Sequence, residues 1–415
     1  MPFSQIDQKI NMDQPLKEKT YLPDGQARLP DRQARILVAP LDWGLGHATR
    51  CIPIIRELLA QGGEVWLAGE GAQESLLKAE FPELPFLELP GYRINYSKTA
   101  RGLLWKMIQQ GSKMRSAIQY ENRWLKKVIA EHGFDAVISD NRYGLYHSAV
   151  HCVFMTHQLT IKNSLGKWAE RILQKINYKH INRFRECWVP DLPTGLPAER
   201  HGQAGLDQEK NLAGELSHPQ KKPTVPVHYI GLLSRFEKKE SFDPSANSGL
   251  RTEKKNHLLI ILSGPEPQRS MLEEKIITDI THYNGTATIV RGLPGLASLI
   301  PSTNMIKFYN HLPADELNIE MQEAEYIISR SGYSTVMDVV ALQKKSILIP
   351  TPGQTEQEYL GSYLMEKGII VCLTQKEFSL NKALIVAADH NYEIPLISAS
   401  PVLAKTIEAF LLRIT

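Results

Sequence analysis

A glycine-rich turn with a histidine, at residues 42–50, has the residue types for chemistry. Gly44, Gly46 and His47 stand between an aliphatic run and a helical pattern. Glycines let a ligand approach the backbone, and the first turn of a helix presents unpaired N–H groups. An imidazole has an unperturbed pKa of about 6.5, so its neutral form can accept a proton at pH 7. We therefore predict that His47 is a general base, with Asp140 in reserve, while helix capping by His47 stays open.

The same turn also matches part of a dinucleotide-binding fingerprint. Gly44 and Gly46 supply two glycines of G-x-G-x-x-G, but Thr49 stands at the third position. Glu70, after the next predicted strand, would then hold a ribose. An NAD(P)- or flavin-dependent oxidoreductase is therefore the alternative function.

A second polar turn lies at 329–338, again between a strand pattern and a helix pattern. Its small residues leave room for a diphosphate against a helix N-terminus, where N–H groups attract anions. Asp338 falls in the first two helical turns, where a carboxylate can accept both hydroxyls of a ribose. Arg330, or Arg269 from an earlier loop, would neutralise a diphosphate leaving group without a metal. The candidate ligand-binding residues of this turn are Arg330, Ser331, Gly332, Tyr333, Ser334 and Asp338.

A third polar segment, 350–359, follows the next predicted strand. Gln354, Gln357 and Glu358 stand at the start of its helix pattern, where amide and acid groups suit hydroxyl-rich ligands such as sugars. Each of these turns alone is most simply a loop with N-capping residues. Because they stand at matching strand ends, we interpret them as one shared binding site.

These motifs give the chain a resemblance to GT-B glycosyltransferases of family 28, especially the branch that transfers N-acetylglucosamine in peptidoglycan synthesis. The resemblance spans about 35–413 and is strongest at 329–359. It implies that Asp338 holds the uridine ribose, where the family usually has glutamate. It also implies that Gln357 and Glu358 replace a glutamine pair that touches the donor sugar. A UDP-sugar donor, inversion at the anomeric carbon and no cofactor follow from the resemblance.

The resemblance assigns further residues on both sides of the expected cleft. The loop 263–269 matches the family's glycine-rich loop, and 308–312 matches its uracil-binding edge. The added donor-side residues are Ser263, Gly264, Arg269, His311 and Leu312, and the acceptor-side residues are Gly44, Gly46, His157 and Gln158. The implied reaction moves a hexose or N-acetylhexosamine to a hydroxyl of a glycan or lipid-linked acceptor. A non-catalytic nucleotide-sugar-binding protein is a further hypothesis.

Two series of strand patterns must position these turns. Helical stretches separate most of the aliphatic runs, which lie at 36–39, 64–68, 86–89, 136–139, 152–156, 187–189 and 227–230, and then at 258–262, 287–290, 305–308, 326–329, 347–349 and 369–373. Such alternation predicts parallel sheets in an α/β fold, with ligands at the carboxyl ends of the strands. Combined with the resemblance, it predicts two Rossmann-like, doubly wound domains that face each other across a cleft.

Changes of composition along the chain predict the domain boundaries. The predicted parts are a flexible extension at 1–34, an acceptor-side domain at 35–232, a hinge at 233–256, a nucleotide-sugar-binding domain at 257–400 and a helix at 401–415 that packs back on the first domain.

The composition narrows the class of protein. With 42% hydrophobic and 22% charged residues, no long apolar run and four scattered cysteines, the chain has the character of a cytosolic protein. His147 and His151 have a metal-like spacing, but no glutamate follows the first, so we predict no metal site.

Charge indicates the partners. The net charge of +3 is too small to indicate nucleic acid. Lysines, arginines and aromatic residues concentrate at 93–127 and 162–185, which suits either an anionic membrane or a solvated helix face. We predict a cytoplasmic protein in peripheral contact with the inner face of the membrane.

Overall fold

A computed structural model gives the fold of the chain. It describes residues 33–92, 103–193, 211–236, 254–293, 298, 300–397 and 400–414. Nearly all of the predicted N-terminal extension and most of the predicted hinge lie outside these residues, so their boundaries stay predictions.

The first half forms a seven-stranded parallel sheet in the order β3-β2-β1-β4-β5-β6-β7. Its strands are β1 (Arg35–Pro40), β2 (Glu64–Gly69), β3 (Phe86–Glu88), β4 (Ala136–Asp140), β5 (His151–Met155), β6 (Glu186–Val189) and β7 (Val227–Tyr229). Its helices are α1 (Leu45–Ala60), α2 (Gly71–Glu80), α3 (Leu103–His132) and α4 (Lys167–Ile181). The central strands are continuous buried runs, because helices cover both faces of such a sheet.

The second half forms a six-stranded parallel sheet in the order β10-β9-β8-β11-β12-β13. Its strands are β8 (His257–Ile261), β9 (Thr286–Val290), β10 (Ile306–Tyr309), β11 (Tyr326–Ser329), β12 (Ser346–Leu348) and β13 (Val371–Cys372). Its helices are α5 (Gln268–Ile280), α6 (Ala314–Glu323), α7 (Tyr333–Ala341), α8 (Thr355–Glu366), α9 (Leu380–Asp389) and α10 (Ser400–Ile414).

The strand order reverses once in each sheet, between β1 and β4 and between β8 and β11. In open α/β sheets the crevice outside the carboxyl ends of the strands at this point is the usual ligand site. The predicted glycine turn follows β1, and the predicted diphosphate turn follows β11. The prediction of two doubly wound α/β domains is confirmed.

The last helix, α10, returns to the first domain. Gln61 Nε2 donates to the carbonyl oxygen of Ala404 at 2.9 Å, and Arg413 Nη2 lies 3.0 Å from Glu186 Oε1. The ring of Phe410 is fully buried and meets Trp188 edge-on, with ring centroids 5.2 Å apart. Burying such a ring contributes about 1.5–3 kcal/mol. α10 therefore ties the two halves together, and no helix in the described ranges is both long and apolar enough to cross a bilayer.

Candidate active site

Three adjacent strands bring a polar cluster together in the first domain. α1 begins after Gly44, whose φ of +83° favours glycine, and it places His47 and Arg50 on one helix face. β4 lies beside β1 and ends at Asp140, which pairs with Pro40 in the register. β5 lies beside β4, and His157 follows it by two residues. His47, Arg50, Asp140 and His157 therefore meet at one edge of the sheet.

Asp140 holds both His47 and Arg50. His47 Nδ1 lies 2.9 Å from Asp140 Oδ2, and Arg50 Nε donates to the same oxygen at 2.8 Å. Arg50 Nη2 donates to Asp140 Oδ1 and also lies 2.8 Å from His47 Nδ1. Asp140 has no exposed surface. This predicted reserve base therefore lies behind His47, where it can orient the imidazole.

Burial and the neighbouring charges lower the pKa values of His47 and Asp140, which suits His47 as a base. Burial lowers the pKa of His47, Asp140 opposes this shift, and Arg50 adds to it. Burial alone would raise the pKa of Asp140, but Arg50 and His47 bring it down to about 2. At neutral pH the carboxylate is therefore charged and the imidazole neutral, as proton acceptance requires.

The predicted acceptor-side residues His157 and Gln158 contact the second domain. His157 Nε2 lies 2.7 Å from Glu356 Oε1, and Gln158 Nε2 donates to the other oxygen of that carboxylate. The ring of His157 stacks on Tyr333, with centroids 4.3 Å apart and planes 10° from parallel. Tyr333 Oη in turn donates to the carbonyl oxygen of Pro190 at 2.8 Å. Tyr333, which was predicted to bind the sugar donor, therefore contacts the first domain at the interface between the two domains.

The glycine turn touches the diphosphate turn directly. Ser334 Oγ donates to the carbonyl oxygen of Gly46 at 2.8 Å. A Cβ atom at Gly46 would lie 2.9 Å from that hydroxyl oxygen, so glycine permits the close approach. The switch points of the two sheets thus face each other.

Arg330 is a buried cation that lacks a carboxylate partner among the described residues. Its side chain is 1% exposed, and Nη2 donates to the carbonyl oxygen of Gln268 at 2.7 Å. Nη1 reaches the carbonyl oxygens of Ile349 and Pro350, while the buried Nε has no partner. Burial lowers the pKa of Arg330 to about 10. A buried guanidinium without a carboxylate partner in the described ranges could compensate the charge of a bound anion.

The loop after β8 lies against this cation. Ser263 and Gly264 are exposed there, and a Cβ atom at Gly264, whose φ is +100°, would lie 3.8 Å from Arg330 Nε. Arg269, the other predicted phosphate ligand, is instead paired: Nε lies 2.6 Å from Glu266 and Nη1 3.1 Å from Glu273. Because the charge of Arg269 is already compensated by these two glutamates, Arg330 is the better candidate for binding a diphosphate.

Asp338 faces the segment that follows the first domain. Its Oδ1 accepts a hydrogen bond from Ser234 Oγ at 2.7 Å. Burial raises the pKa of Asp338 to about 6, although the nearby Arg235 opposes this shift. Burial, with a contribution from Arg235, also lowers the pKa of the exposed His311, whereas the neighbouring Leu312 is buried. Ser234 and Arg235 were missed by the sequence analysis, because no periodicity or motif marks them.

Contacts within the segment 350–358 fix its shape. Gln357 Oε1 accepts from the backbone N–H of Thr351 at 2.9 Å, and its Nε2 lies 2.5 Å from Gln354 Oε1. The backbone N–H of Gly353 donates to Glu358 Oε1 at 3.0 Å. Ser331 Oγ donates to the carbonyl oxygen of Gln357 at 2.9 Å, which joins this turn to the preceding one.

Two further residues of the site carried no predicted role. Arg50 lies three residues after His47, and this spacing on a helix was the available signal. Glu356 is next to Gln357, which was predicted to contact the donor sugar, but no sequence pattern indicates that Glu356 faces the first domain. In the alternative dinucleotide hypothesis Glu70 holds a ribose, whereas here it accepts from the backbone N–H of Gly91 at 2.8 Å.

Comparison with known proteins identifies the second half. Residues 303–393 match the glycosyltransferase family 28 C-terminal domain. This segment of the second half is therefore similar to the C-terminal domain of that family. The predicted residues Arg330, Gly332, Asp338 and Gln357 lie inside this domain, while Ser263, Gly264 and Arg269 precede the matched segment.

Two curated relatives share one name, UDP-N-acetylglucosamine--N-acetylmuramyl-(pentapeptide) pyrophosphoryl-undecaprenol N-acetylglucosamine transferase. The protein from Haemophilus ducreyi is 24% identical over 160 residues, which cover 37% of this chain and 45% of the relative. The protein from Desulforudis audaxviator is 31% identical over 104 residues, which cover 25% of this chain and 26% of the relative. The chain thus aligns with less than half of each relative.

The fold extends the likeness beyond the family 28 domain. The solved structure of the glycotransferase of kitacinnamycin superposes with a TM-score of 0.56 and 12% identity, covering 92% of this chain and 95% of the other. At this identity the likeness shows the fold alone, and the fold is GT-B.

Proposed function

We propose that this chain is a glycosyltransferase that moves a hexose or N-acetylhexosamine from a UDP-sugar to an acceptor hydroxyl. Arg330 carries the proposal, because a buried cation with no carboxylate partner in the described part of the chain stands beside the N-terminus of α7, inside the segment that matches the family 28 model. The names of the curated relatives, which include UDP-N-acetylglucosamine, support the choice of donor.

In the proposed reaction the diphosphate binds at Arg330 and the N–H groups that begin α7, and Asp338 accepts hydroxyls of the ribose. Gln357 and Glu358 contact the sugar, and the backbone near His311 and Leu312 reads the base. His47 Nε2 takes the proton of the acceptor hydroxyl, whose oxygen attacks the anomeric carbon. The bond from that carbon to the diphosphate breaks, UDP leaves and the configuration inverts.

This scheme requires neither a metal nor another cofactor. Arg330 and the helix dipole would neutralise the leaving group, and such preorganised charge is usually the largest catalytic contribution. His47 would contribute about 10²–10⁴-fold as a general base. Asp140 would stabilise the imidazolium that forms, because its carboxylate already touches Nδ1.

A lipid-linked acceptor at an anionic membrane is the second part of the proposal. Helix α4 exposes Trp168, Ile172 and Ile176 at spacings of four residues, and Trp168 is 61% exposed. The exposed basic residues Lys167, Arg171, Lys175 and Lys179 follow the same spacing. Apolar and basic stripes side by side suit anionic lipid. The buried face of α4 reaches the acceptor side, where Asn177 Nδ2 donates to the carbonyl oxygen of Gln158 at 3.0 Å.

This surface supports peripheral contact with the inner face of the membrane. The relatives' names, which include pyrophosphoryl-undecaprenol, favour such an acceptor. Of the two basic segments expected at such a membrane, 162–185 contains α4. Part of 93–127 lies outside the described residues.

Thermal melting with ligand tests the donor. UDP or UDP-N-acetylglucosamine should raise the melting temperature of the native chain, because a ligand that binds only the folded state stabilises it. Arg330→Met should lose this rise. The melting temperature of the free variant is measured beside it, because the variant removes a buried charge but also loses three hydrogen bonds to backbone carbonyl oxygens. Arg185→Met, which removes an exposed arginine that donates to the carbonyl oxygen of Ser148, is the matched control and should keep the rise. If millimolar ligand leaves the native chain unchanged, the donor assignment fails.

A further inference from the structure

Glu356 places a carboxylate of the second domain inside the catalytic cluster of the first. It lies in the first turn of α8, and its two oxygens contact His157 Nε2, at 2.7 Å, and Gln158 Nε2. The side chain of His157 is 4% exposed and that of Glu356 is 31% exposed, so the histidine end of this contact is shielded from water. The proposed reaction gives this carboxylate no role, although its neighbours Gln357 and Glu358 contact the sugar.

An unbroken line of contacts runs from Glu356 to the base. When His157 Nε2–H donates to Glu356, Nδ1 is free to accept, and Arg50 Nη1 lies 3.1 Å from it. Arg50 in turn donates to Asp140 and contacts His47 Nδ1. The stack of His157 on Tyr333 fixes the plane of the imidazole ring in this line. Glu356 therefore orients the histidine that accepts from Arg50 on one side, while Asp140 holds Arg50 on the side of His47.

The same carboxylate changes the charge around His47. The titratable groups facing His47 are Asp140 from β4, Arg50 from α1 and His157 from the loop after β5. The charges of Asp140 and Arg50 offset each other. Glu356 from α8 adds a second negative charge, which interacts with both Arg50 and His47. This added negative charge favours the imidazolium that forms when His47 takes up a proton.

We propose that Glu356 is a positioning residue that makes the geometry and basicity of His47 depend on contact between the two domains. The inference rests on the proposed function, since it takes His47 as the base. The second domain thus contributes both the donor site and a part of the apparatus that activates the acceptor.

Kinetics of UDP-N-acetylglucosamine turnover, followed by UDP release with water as the acceptor, test the inference. Glu356→Gln should lower kcat by about 10–100-fold, because small displacements of a base are costly, and leave KM for the donor within about twofold. The acid limb of the pH profile should move to lower pH, since removing the negative charge lowers the pKa of His47. Glu366→Gln, at the exposed far end of α8, is the matched control and should change none of these quantities.

A second variant and a second readout separate this inference from the proposed function. The double variant Glu356→Gln, His157→Gln should be no slower than the slower single variant, because both residues act through one line of contacts. Histidine ¹³C NMR of the full chain should show a lower titration midpoint for His47 in Glu356→Gln, whether or not turnover is detected. An unchanged midpoint, or an unchanged kcat in a chain that turns over the donor, would overturn the inference and leave the proposed function standing. A native chain that neither binds nor turns over UDP-N-acetylglucosamine would instead remove the proposed function.

Discussion

Asp338 is a buried carboxyl group whose ionisation at neutral pH lowers the stability of the folded chain. Its pKa is raised from 3.8 to about 6, so the folded chain holds this proton more tightly than the unfolded chain does. The stability that this carboxyl contributes is therefore present below pH 4 and lost as the pH rises through 6. Carboxyl groups with such a raised pKa are common at functional sites, so Asp338 is a candidate for contact with a substrate.

Asp338→Asn should raise the free energy of unfolding at pH 7 by about 1–3 kcal/mol, because it removes a partly compensated buried charge. The gain should disappear near pH 4, where the native carboxyl is protonated. UDP binding should weaken at the same time, since an amide has one acceptor oxygen for the ribose. Urea unfolding at both pH values and calorimetric titration of UDP measure these effects. Equal stabilities at pH 7, with native affinity, would contradict the assigned role.

Sequence reasoning identified residues whose chemistry is local. His47 and Asp338 lie in the first two turns of helices that follow strand-to-helix turns, and such turns can be recognised from a few neighbouring residues. Glu356 and Arg235 act through contacts with distant segments, and Glu356 meets a histidine 199 residues away. Arg269 and Arg330 looked alike in the sequence, because only packing shows that Glu266 and Glu273 already pair with Arg269.

At the scale of elements, the alternation of aliphatic runs and helical stretches predicted the strands well. Each predicted run overlaps a strand, and the longest disagreement is β13, where only Val371–Cys372 of the predicted 369–373 pairs with a neighbour. Strand order was beyond local patterns, since it depends on which crossover each helix makes. The structure supplies the order, with β1 beside β4 and β8 beside β11, and the general rule for switch points then marks these two places as the usual ligand sites.

Helix α4 gives the prediction that belongs to this scale. Trp168→Gln with Ile176→Gln should abolish sedimentation of the chain with vesicles containing phosphatidylglycerol, because each apolar side chain contributes buried area in the lipid interface. Binding of the native chain should weaken with added salt and with vesicles of phosphatidylcholine alone. Ile385→Gln on α9 removes a comparably exposed apolar side chain, at 56% exposure, and should bind as the native chain does. Equal binding by the α4 variant would contradict the assigned surface.

At the scale of the whole molecule, apolar packing joins the two domains in addition to the polar contacts at the cleft. Apolar residues of the connecting segment, Leu232, Leu233 and Phe236, join one core cluster with residues of α7. α10 adds the second connection through Phe410. The arrangement of the His47 cluster against Glu356 therefore depends on packing far from the cleft.

Phe410→Ala should lower the free energy of unfolding by about 3–5 kcal/mol, because it leaves a cavity against Trp188 that the fixed sheet cannot fill. Leu412→Ala, on the same helix but 56% exposed, should cost less than about 0.5 kcal/mol. Urea unfolding followed by circular dichroism compares the two. Similar losses from both variants would show that α10 does not depend on this ring.

The return of α10 also has a consequence for biosynthesis. A ribosome releases the first sheet early, but the segment that covers Trp188 is translated about two hundred residues later. Until then the nascent polypeptide presents an uncovered apolar patch, which is a hazard for aggregation and a target for chaperones. Maturation of the amino-terminal half is in this way deferred until the carboxy-terminal half has been made.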